Sequence, residues 1–309
     1  MIANQYYVGY PVLQVRPYGL LVYERKEYHY KPSRKGVPLI QQGNHSNQFG
    51  TASGNKQYTG VLTAYARKRL KRAIQLLVAS AKEKEAPNFK TGKLFKFKVN
   101  FVTFTLPCPQ GNVTDREIKK RCLDNWIKRA RRKYKLNNYV WRAERQKNGN
   151  LHFHMITDTW IHYEKIRNDW NDLLNHFGYI DTFEQKHGHR NPNSTDVHAV
   201  WKVKNLSQYF IKYMTKGGEE KDQINGKLWD CSKALKTKEN CEFLLESEAL
   251  ATWNATTTDT QVQQKHDSNF SIAFLSPTQF QYYIKGQLLE CWNSYLARIR
   301  DYAEKTPPD

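Results

Sequence analysis

The stretch that decides the fold reads Asn138-Tyr-Val-Trp-Arg-Ala-Glu-Arg145, then Gln146-Lys147-Asn148-Gly149-Asn150, then Leu151-His-Phe-His-Met-Ile-Thr157. The flanks, Asn138 to Arg145 and Leu151 to Thr157, are rich in β-branched, aromatic and aliphatic residues and read as strands. Lys147-Asn148-Gly149-Asn150 is a strong turn signal, because Asn-Gly takes positive φ at little steric cost. The segment is therefore a β-hairpin, and its second strand carries His152-Phe153-His154. Side chains alternate along a strand, so both imidazoles share one face while Phe153 points the other way, into the core. Their Cα atoms lie about 7 Å apart by strand rise, close enough to converge on one ion.

Turn parity decides whether a carboxylate joins them. A loop with an odd number of residues, such as Asn148-Gly149-Asn150, sets Lys147 opposite Leu151 and Glu144 directly across from His154, on the same face. A strict two-residue turn sets Glu144 opposite Phe153, on the wrong face. The odd loop is the expectation. Two histidines and a carboxylate with open positions suit Mg²⁺ or Mn²⁺ acting on a phosphate, although zinc accepts the same ligands. A second His-x-His, His187-Gly188-His189, lies in a stretch full of Gly, Asn and Pro with no strand pattern. It reads as a solvated or DNA-facing loop.

Outward from the hairpin, the middle region of residues 94–218 alternates regularly. Leu94 to Leu106 is strand-like, and Thr114-Asp115-Arg116-Glu117 is a capping-box signature before Ile118, Cys122, Trp126, Ile127 and Ala130 at helical spacing. A helix is expected from His162 to His176, a strand from Val197 to Val203, and a helix from Leu206 to Lys216 ended by Gly217-Gly218. The order β-α-β-β-α-β-α predicts an α+β fold, a ferredoxin-like (RRM-like) antiparallel sheet with helices on one face. Residues 1–93 read as a basic extension, irregular at first, with one helix from Val61 to Ala81. Residues 219–309 read as a mainly helical extension, with a loop from Thr256 to Ser268 and a helix from Pro277 to Ala303.

The helix after the last strand reads Leu206-Ser-Gln-Tyr-Phe-Ile-Lys-Tyr-Met-Thr-Lys216. Tyr209 and Tyr213 are four apart and share one helical face, and Lys212 and Lys216 repeat the spacing one face over. An amphipathic helix with tyrosines packed on the sheet explains this pattern as well. The chemical reading is sharper. A tyrosine hydroxyl, with a pKa near 10, is a poor nucleophile until a metal polarises the target phosphate or a base takes its proton. Attack on a phosphodiester then leaves a 5′-phosphotyrosine and a 3′-OH, and two tyrosines can alternate. A lysine beside each can neutralise developing charge.

Composition points to a polyanionic partner. Across 309 residues, 49 Lys+Arg against 29 Asp+Glu give a net charge of +20 and a pI near 9.6. Nucleic acid is the expected partner, with an anionic membrane the competing one. No apolar stretch approaches the roughly 18 residues of a spanning helix, and the N-terminus lacks a signal-peptide pattern, so a cytoplasmic protein is expected. The five cysteines are scattered with no Cys-x-x-Cys pair, which argues against a zinc ribbon or a disulfide scaffold. Basic residues cluster on two helices, at Arg67-Lys68-Arg69 with Lys71-Arg72, and at Lys119, Lys120, Arg121, Lys128, Arg129, Arg131, Arg132 and Lys133. Both are candidate contacts to a DNA backbone.

At these residues the chain resembles the HUH-superfamily rolling-circle replication initiators of small single-stranded DNA phages and plasmids, in their two-tyrosine class. The resemblance covers about residues 97–237. Phe101-Val-Thr-Phe-Thr-Leu-Pro107 is similar to the first-strand motif and His152-Phe153-His154 to the metal motif. Tyr209-Phe-Ile-Lys-Tyr213-Met-Thr-Lys216 is similar to the two-tyrosine motif, and Gly226-Lys-Leu-Trp229-Asp-Cys-Ser232-Lys-Ala-Leu235 resembles a stretch that often follows it. The resemblance implies His152, His154 and Glu144 as ligands of Mg²⁺ or Mn²⁺, Tyr209 and Tyr213 as nucleophiles, and single-stranded origin DNA as substrate, in a host cell of bacterial type. No Gly-x-x-x-x-Gly-Lys-Ser/Thr motif occurs, so a host helicase and a single-strand-binding protein are expected partners. The competing readings are a non-catalytic single-strand-binding module, a water-using metal hydrolase, and a tyrosine transposase of the same superfamily.

Overall fold

The computed structural model describes residues 5–30, 60–87, 91–200, 206–215 and 223–305. In chain order the elements are β1 (Gln5–Arg16), β2 (Gly19–Tyr30), α1 (Ala64–Ser80), β3 (Lys84–Pro87), β4 (Leu94–Phe97) and β5 (Val99–Phe104). A single turn α2 (Asp115–Glu117), a π-helical segment (Ile118–Leu123) and α3 (Asp124–Tyr134) follow, then β6 (Tyr139–Arg145), β7 (Leu151–Thr157), α4 (Tyr163–Asn175) and α5 (Tyr179–His187). The remainder is β8 (Thr195–Val200), α6 (Leu206–Met214), β9 (Trp229–Cys231), a 3₁₀ turn (Lys233–Lys236), β10 (Cys241–Leu244), α7 (Ser247–Thr258), β11 (Gln263–Asp267), β12 (Phe270–Phe274), α8 (Pro277–Tyr283) and α9 (Gly286–Lys305). The protein is mixed α+β, and its described strands pair antiparallel throughout. Chain contacts group it into two units, Met1–Gln57 with Glu239–Tyr295, and Tyr58–Lys238 with Leu296–Asp309. Each unit therefore draws on two stretches of sequence, unlike a division at residues 93 and 218.

The first unit is built on a sheet in the order β10-β1-β2-β12-β11. The expectation of an irregular N-terminus is corrected here: β1 and β2 form a hairpin in register from Gln5↔Tyr30 to Arg16↔Gly19. Gly9 and Pro11 interrupt the strand signal of β1, but Pro11 lies one residue outside the span Val12 to Val15 that pairs with β10. Its missing N–H removes no ladder bond on that side. Val12, Leu13, Val15, Leu20 and Leu21 are buried and supply the core. The expected loop at Thr256–Ser268 is instead the end of α7 and the strand β11, paired with β12. The expected single helix from Pro277 breaks at Ile284, which is extended with φ −87° and ψ 103°, so α8 and α9 are separate.

The second unit contains the hairpin that carries the histidines. Its main sheet runs β8-β5-β7-β6-β9, so the β-α-β-β-α-β strands stand in the spatial order fourth, first, third, second, with β9 added at the edge. The expected strand Leu94–Leu106 is two strands, because β4 pairs with β3 while β5 pairs with β7 and β8. The capping box forms as read, Thr114 accepting from the Glu117 N–H and the Glu117 carboxylate accepting from the Thr114 N–H. On one sheet face Phe104 meets Trp126 of α3 at 4.7 Å and Trp170 of α4 at 4.9 Å, and Phe153 meets Trp170 at 6.2 Å between ring centroids. Phe104, Trp126, Phe153 and Trp170 are all fully buried. Burying an aromatic side chain of this size is worth about 1.5–3 kcal/mol, so this cluster anchors the sheet.

Helices on one face alone is the expectation that fails. α6 lies on the opposite face, where Phe210 stacks on Phe101 at 5.8 Å and 14°. Phe101 is one residue out of phase with Val102 and Phe104, so its side chain must leave the other side of the sheet. α1 packs against both α6 and β6. The helix expected at Val61–Ala81 is α1, begun by the Thr63 hydroxyl, which accepts from the Ala66 N–H. The strand expected at Val197–Val203 begins earlier, at Thr195, and residues 201–205 lie outside the described residues.

Candidate metal centre

The hairpin register brings the ligand candidates together, by a different pairing from the one expected. Arg145 pairs with Leu151, Glu144 with His152, Ala143 with Phe153 and Arg142 with His154. The loop is thus the five residues Gln146–Asn150, odd as expected but longer. Glu144 faces His152, not His154. The Gln146 N–H donates to the Asn150 carbonyl at 2.9 Å and the Gly149 N–H to the Gln146 carbonyl at 2.9 Å, with Gly149 at φ 83°. Asn150 fixes this turn by donating to the Cys108 carbonyl and accepting from the Gln110 N–H, both at 2.9 Å. Because parity is kept, Glu144 stays on the histidine face.

His152 Nε2 and His154 Nε2 lie 3.0 Å apart, and the Glu144 Oε2 atom is 3.6 Å from the first and 3.5 Å from the second. Two ligands set at right angles about 2.1 Å from one ion are separated by about 3.0 Å, and two tetrahedral ligands by about 3.4 Å. The three donors therefore converge as ligands of one ion do. Both imidazoles aim Nε2 at the common point. His154 Nδ1 lies 3.1 Å from the Thr103 hydroxyl, while His152 Nδ1 is buried and meets no partner atom. Burial raises the Glu144 carboxyl, but His152, His154 and the Arg142 guanidinium outweigh it and hold its pKa down at about 2. An ionised carboxylate among neutral imidazoles is a donor set that fits a divalent cation.

Arg142 carried no expectation from the sequence. Its side chain is buried, places one guanidinium nitrogen 3.1 Å from Glu144 Oε1, and donates to the Met214 carbonyl at 2.6 Å. Met214 is the last residue of α6, so one side chain ties the carboxylate to the helix that carries the tyrosines. Spacing of two from Glu144 on a strand was the available signal.

α6 buries Ser207, Phe210, Ile211 and Met214, and exposes Lys212 and Tyr213. Tyr209 and Tyr213 lie side by side at 4.8 Å between centroids. Tyr213, 43% exposed, approaches Phe101 at 6.4 Å, and Phe101 stacks on His154 at 5.2 Å and 25°. One phenyl ring thus separates the tyrosine face from a ligand imidazole. Burial, and then the neighbouring Tyr213 hydroxyl, raise the Tyr209 hydroxyl above its ordinary value. Lys216 and Gly217-Gly218 lie outside the described residues.

Other sequence candidates fall elsewhere. His187 ends α5 and His189 follows its Gly188 cap, both rings against Phe183 and neither in the ligand cluster. The basic helix near Thr114 packs, through Trp126, on the sheet face away from the histidines. Within it Lys119 is buried and donates to the Asn225 carbonyl, and Arg129 and Lys133 are ion-paired with Asp169. α1, the other basic helix, is on the histidine side, where the Arg67 charge is felt by Arg142.

Residues 99–218 match a family of replication-associated proteins, that of the replication-associated protein ORF2. That span runs from β5 past α6 and holds Thr103, Arg142, Glu144, His152, His154, Tyr209 and Tyr213. No curated protein and no solved structure matches the chain. The match supports a role in initiating replication. Among the described residues no helix is long and apolar enough to cross a membrane.

Proposed function

We propose that the chain is a rolling-circle replication initiator that nicks and rejoins single-stranded origin DNA through a 5′-phosphotyrosine, on a ferredoxin-like sheet of the HUH type. The observation that carries this reading is the convergence of His152, His154 and Glu144 on the sheet face over which α6 lays Tyr209 and Tyr213. A divalent ion held there, Mg²⁺ or Mn²⁺, would act as a Lewis acid on the scissile phosphate. Tyr213 Oη, or Tyr209 Oη in the second cut, attacks phosphorus. The P–O3′ bond breaks, its electron pair goes to the 3′ oxygen, and that oxygen takes a proton to leave as a 3′-OH. Because Tyr209 is harder to ionise than an ordinary tyrosine, the exposed Tyr213 is the better placed for the first cut. Lys212 and Lys216 are positioned in sequence to neutralise charge on the phosphate as it develops. Duplex opening falls to a host helicase, with a host single-strand-binding protein on the displaced strand, in the cytoplasm of a bacterial host.

The test is a denaturing gel of labelled origin-strand DNA incubated with the protein and Mn²⁺. A protein–DNA adduct should form and disappear in the Tyr209→Phe/Tyr213→Phe double variant. Cleavage with no adduct would replace this reading with hydrolysis by water, and binding with no cleavage would replace it with an inert single-strand module.

A further inference from the structure

A second constellation lies on the histidine face, outside residues 99–218. Tyr65 and Arg69 are four apart on α1 and share a helical face. The Arg69 guanidinium lies 5.8 Å from the Tyr65 ring centroid and 5.7 Å from that of Trp229. Tyr65 is 71% exposed, Arg69 is exposed and Trp229 is half-buried. The stack thus presents two aromatic rings and a planar cation at the surface, where large apolar rings are ordinarily withdrawn from water.

The register fixes where the stack stands. Thr103 pairs with His154, His154 with Arg142, and Arg142 with Trp229. Directly opposed residues in antiparallel strands point to the same face, so one row across the sheet runs Thr103, His154, Arg142, Trp229. Two strand spacings place Trp229 about 10 Å from His154, the reach of one or two nucleotides. Lys68 and Lys71 are exposed on the same helix, available to a phosphate backbone. The basic helix on the far face has no such access to the histidines.

We propose that Tyr65, Arg69 and Trp229 form a base-stacking platform that receives a nucleobase of single-stranded DNA one or two nucleotides from the metal centre. The proposal rests on the reading above for the site of the scissile phosphate, but the platform itself needs neither metal nor tyrosine nucleophile. An aromatic face with a neighbouring guanidinium binds any base through its π surface, so the platform holds the strand without reading sequence. It would fix the position of the strand along the row and so choose which phosphodiester lies over His152 and His154.

The test uses the full chain and fluorescein-labelled oligo(dT), with affinity read by anisotropy in EDTA so that no cleavage occurs. Trp229→Ala and Tyr65→Ala should each bind about 5- to 100-fold more weakly. Trp229→Phe, which keeps a ring, should retain most of the affinity. The slope of log affinity against log salt should stay at its wild-type value in both alanine variants, since neither removes a charge. Arg69→Ala should flatten it by about 0.7. Wild-type thermal unfolding in Tyr65→Ala, a surface substitution, separates lost stacking from lost folding. Unchanged affinity in both alanine variants would overturn the platform. So would a Trp229→Phe loss as large as that of Trp229→Ala with Tyr65→Ala unaffected, which would make the indole a structural support. Failure of the nicking reading is seen separately, as absence of the covalent adduct with Mn²⁺ while the binding differences persist.

Discussion

Replacing Arg142 by Met should be among the most damaging single changes in the second unit, and the structure sets its size. The guanidinium is 5% exposed and faces Glu144 Oε1 at 3.1 Å and the Met214 carbonyl at 2.6 Å. At an effective dielectric of about 20 a contact at that range is worth about 5 kcal/mol of gross attraction, and the orphaned carbonyl adds about 1–3 kcal/mol. Against this stands the relief of a buried charge, since burial lowers the Arg142 pKa and disfavours its cation. The balance is an expected loss of about 3 kcal/mol at neutral pH, in the range found when one partner of a buried ion pair is removed. The assay is urea denaturation in EDTA, followed by tryptophan fluorescence, on wild type, Arg142→Met, Glu144→Gln and the double variant. Glu144→Gln alone should also destabilise, because it strands the guanidinium. The double variant should then be more stable than the sum of the singles by about 2 kcal/mol. If Arg142→Met costs less than about 1 kcal/mol, or the two changes simply add, the bridge from carboxylate to α6 does not exist as described.

Two further outcomes follow from single contacts. Thr103→Val removes the partner of His154 Nδ1, which holds the tautomer that leaves Nε2 to a metal, and should weaken Mn²⁺ binding by about 10- to 100-fold in calorimetry. Asp169 is raised by burial but pulled below its ordinary pKa by Tyr134, Lys133 and Arg129. Its contribution to stability is therefore present above the unfolded carboxyl value and is lost as pH falls through that value toward the depressed one. Acid unfolding monitored by circular dichroism should lose that part of its pH dependence in Asp169→Asn; an unchanged acid profile would remove Asp169 as an electrostatic anchor of α3 on α4.

Local chemistry was legible in the sequence; long-range pairing was not. The Thr114 capping box, the Asn148-Gly149 turn, the parity of the hairpin loop and the shared face of Tyr209 and Tyr213 each depend on residues within a turn or two, and each is where it was read. β1 was missed because Gly9 and Pro11 punctuate it, and β11, Gln263-Gln-Lys-His-Asp267, because an edge strand with almost nothing buried has no apolar alternation to show. The face chosen by α6 was hidden for another reason. Only the stacking of Phe210 on Phe101 selects it, and that contact spans more than a hundred residues of chain. The two basic helices looked alike for the same reason, and only packing separates the one beside the histidines from the one behind them.

The register of one hairpin decides both fold and site, as the alternatives to it make plain. A slip of one residue between β6 and β7 would turn His152 and His154 into the space of Phe153 and Met155, against Trp170, and expel Phe153 to solvent. Two imidazoles would then lose their partners in a wall of aromatic rings, at about 1–3 kcal/mol for each unpaired polar group, on top of about 1.5–3 kcal/mol for the exposed phenyl ring. The slip is also opposed at the loop, where Asn150 is held by Cys108 and Gln110, and Arg145 by Asp115 at 2.7 Å. A slip of two would keep the faces and restore Glu144 opposite His154, the pairing first expected from the turn. It would cost no apolar burial on the hairpin itself. What discriminates against it is polar: Arg142 would leave the row of Trp229 and His154, and with it the Met214 carbonyl at the end of α6. The buried arginine therefore selects, between two registers that hydrophobic patterning leaves nearly equivalent, the one in which the three ligands and the tyrosine helix meet.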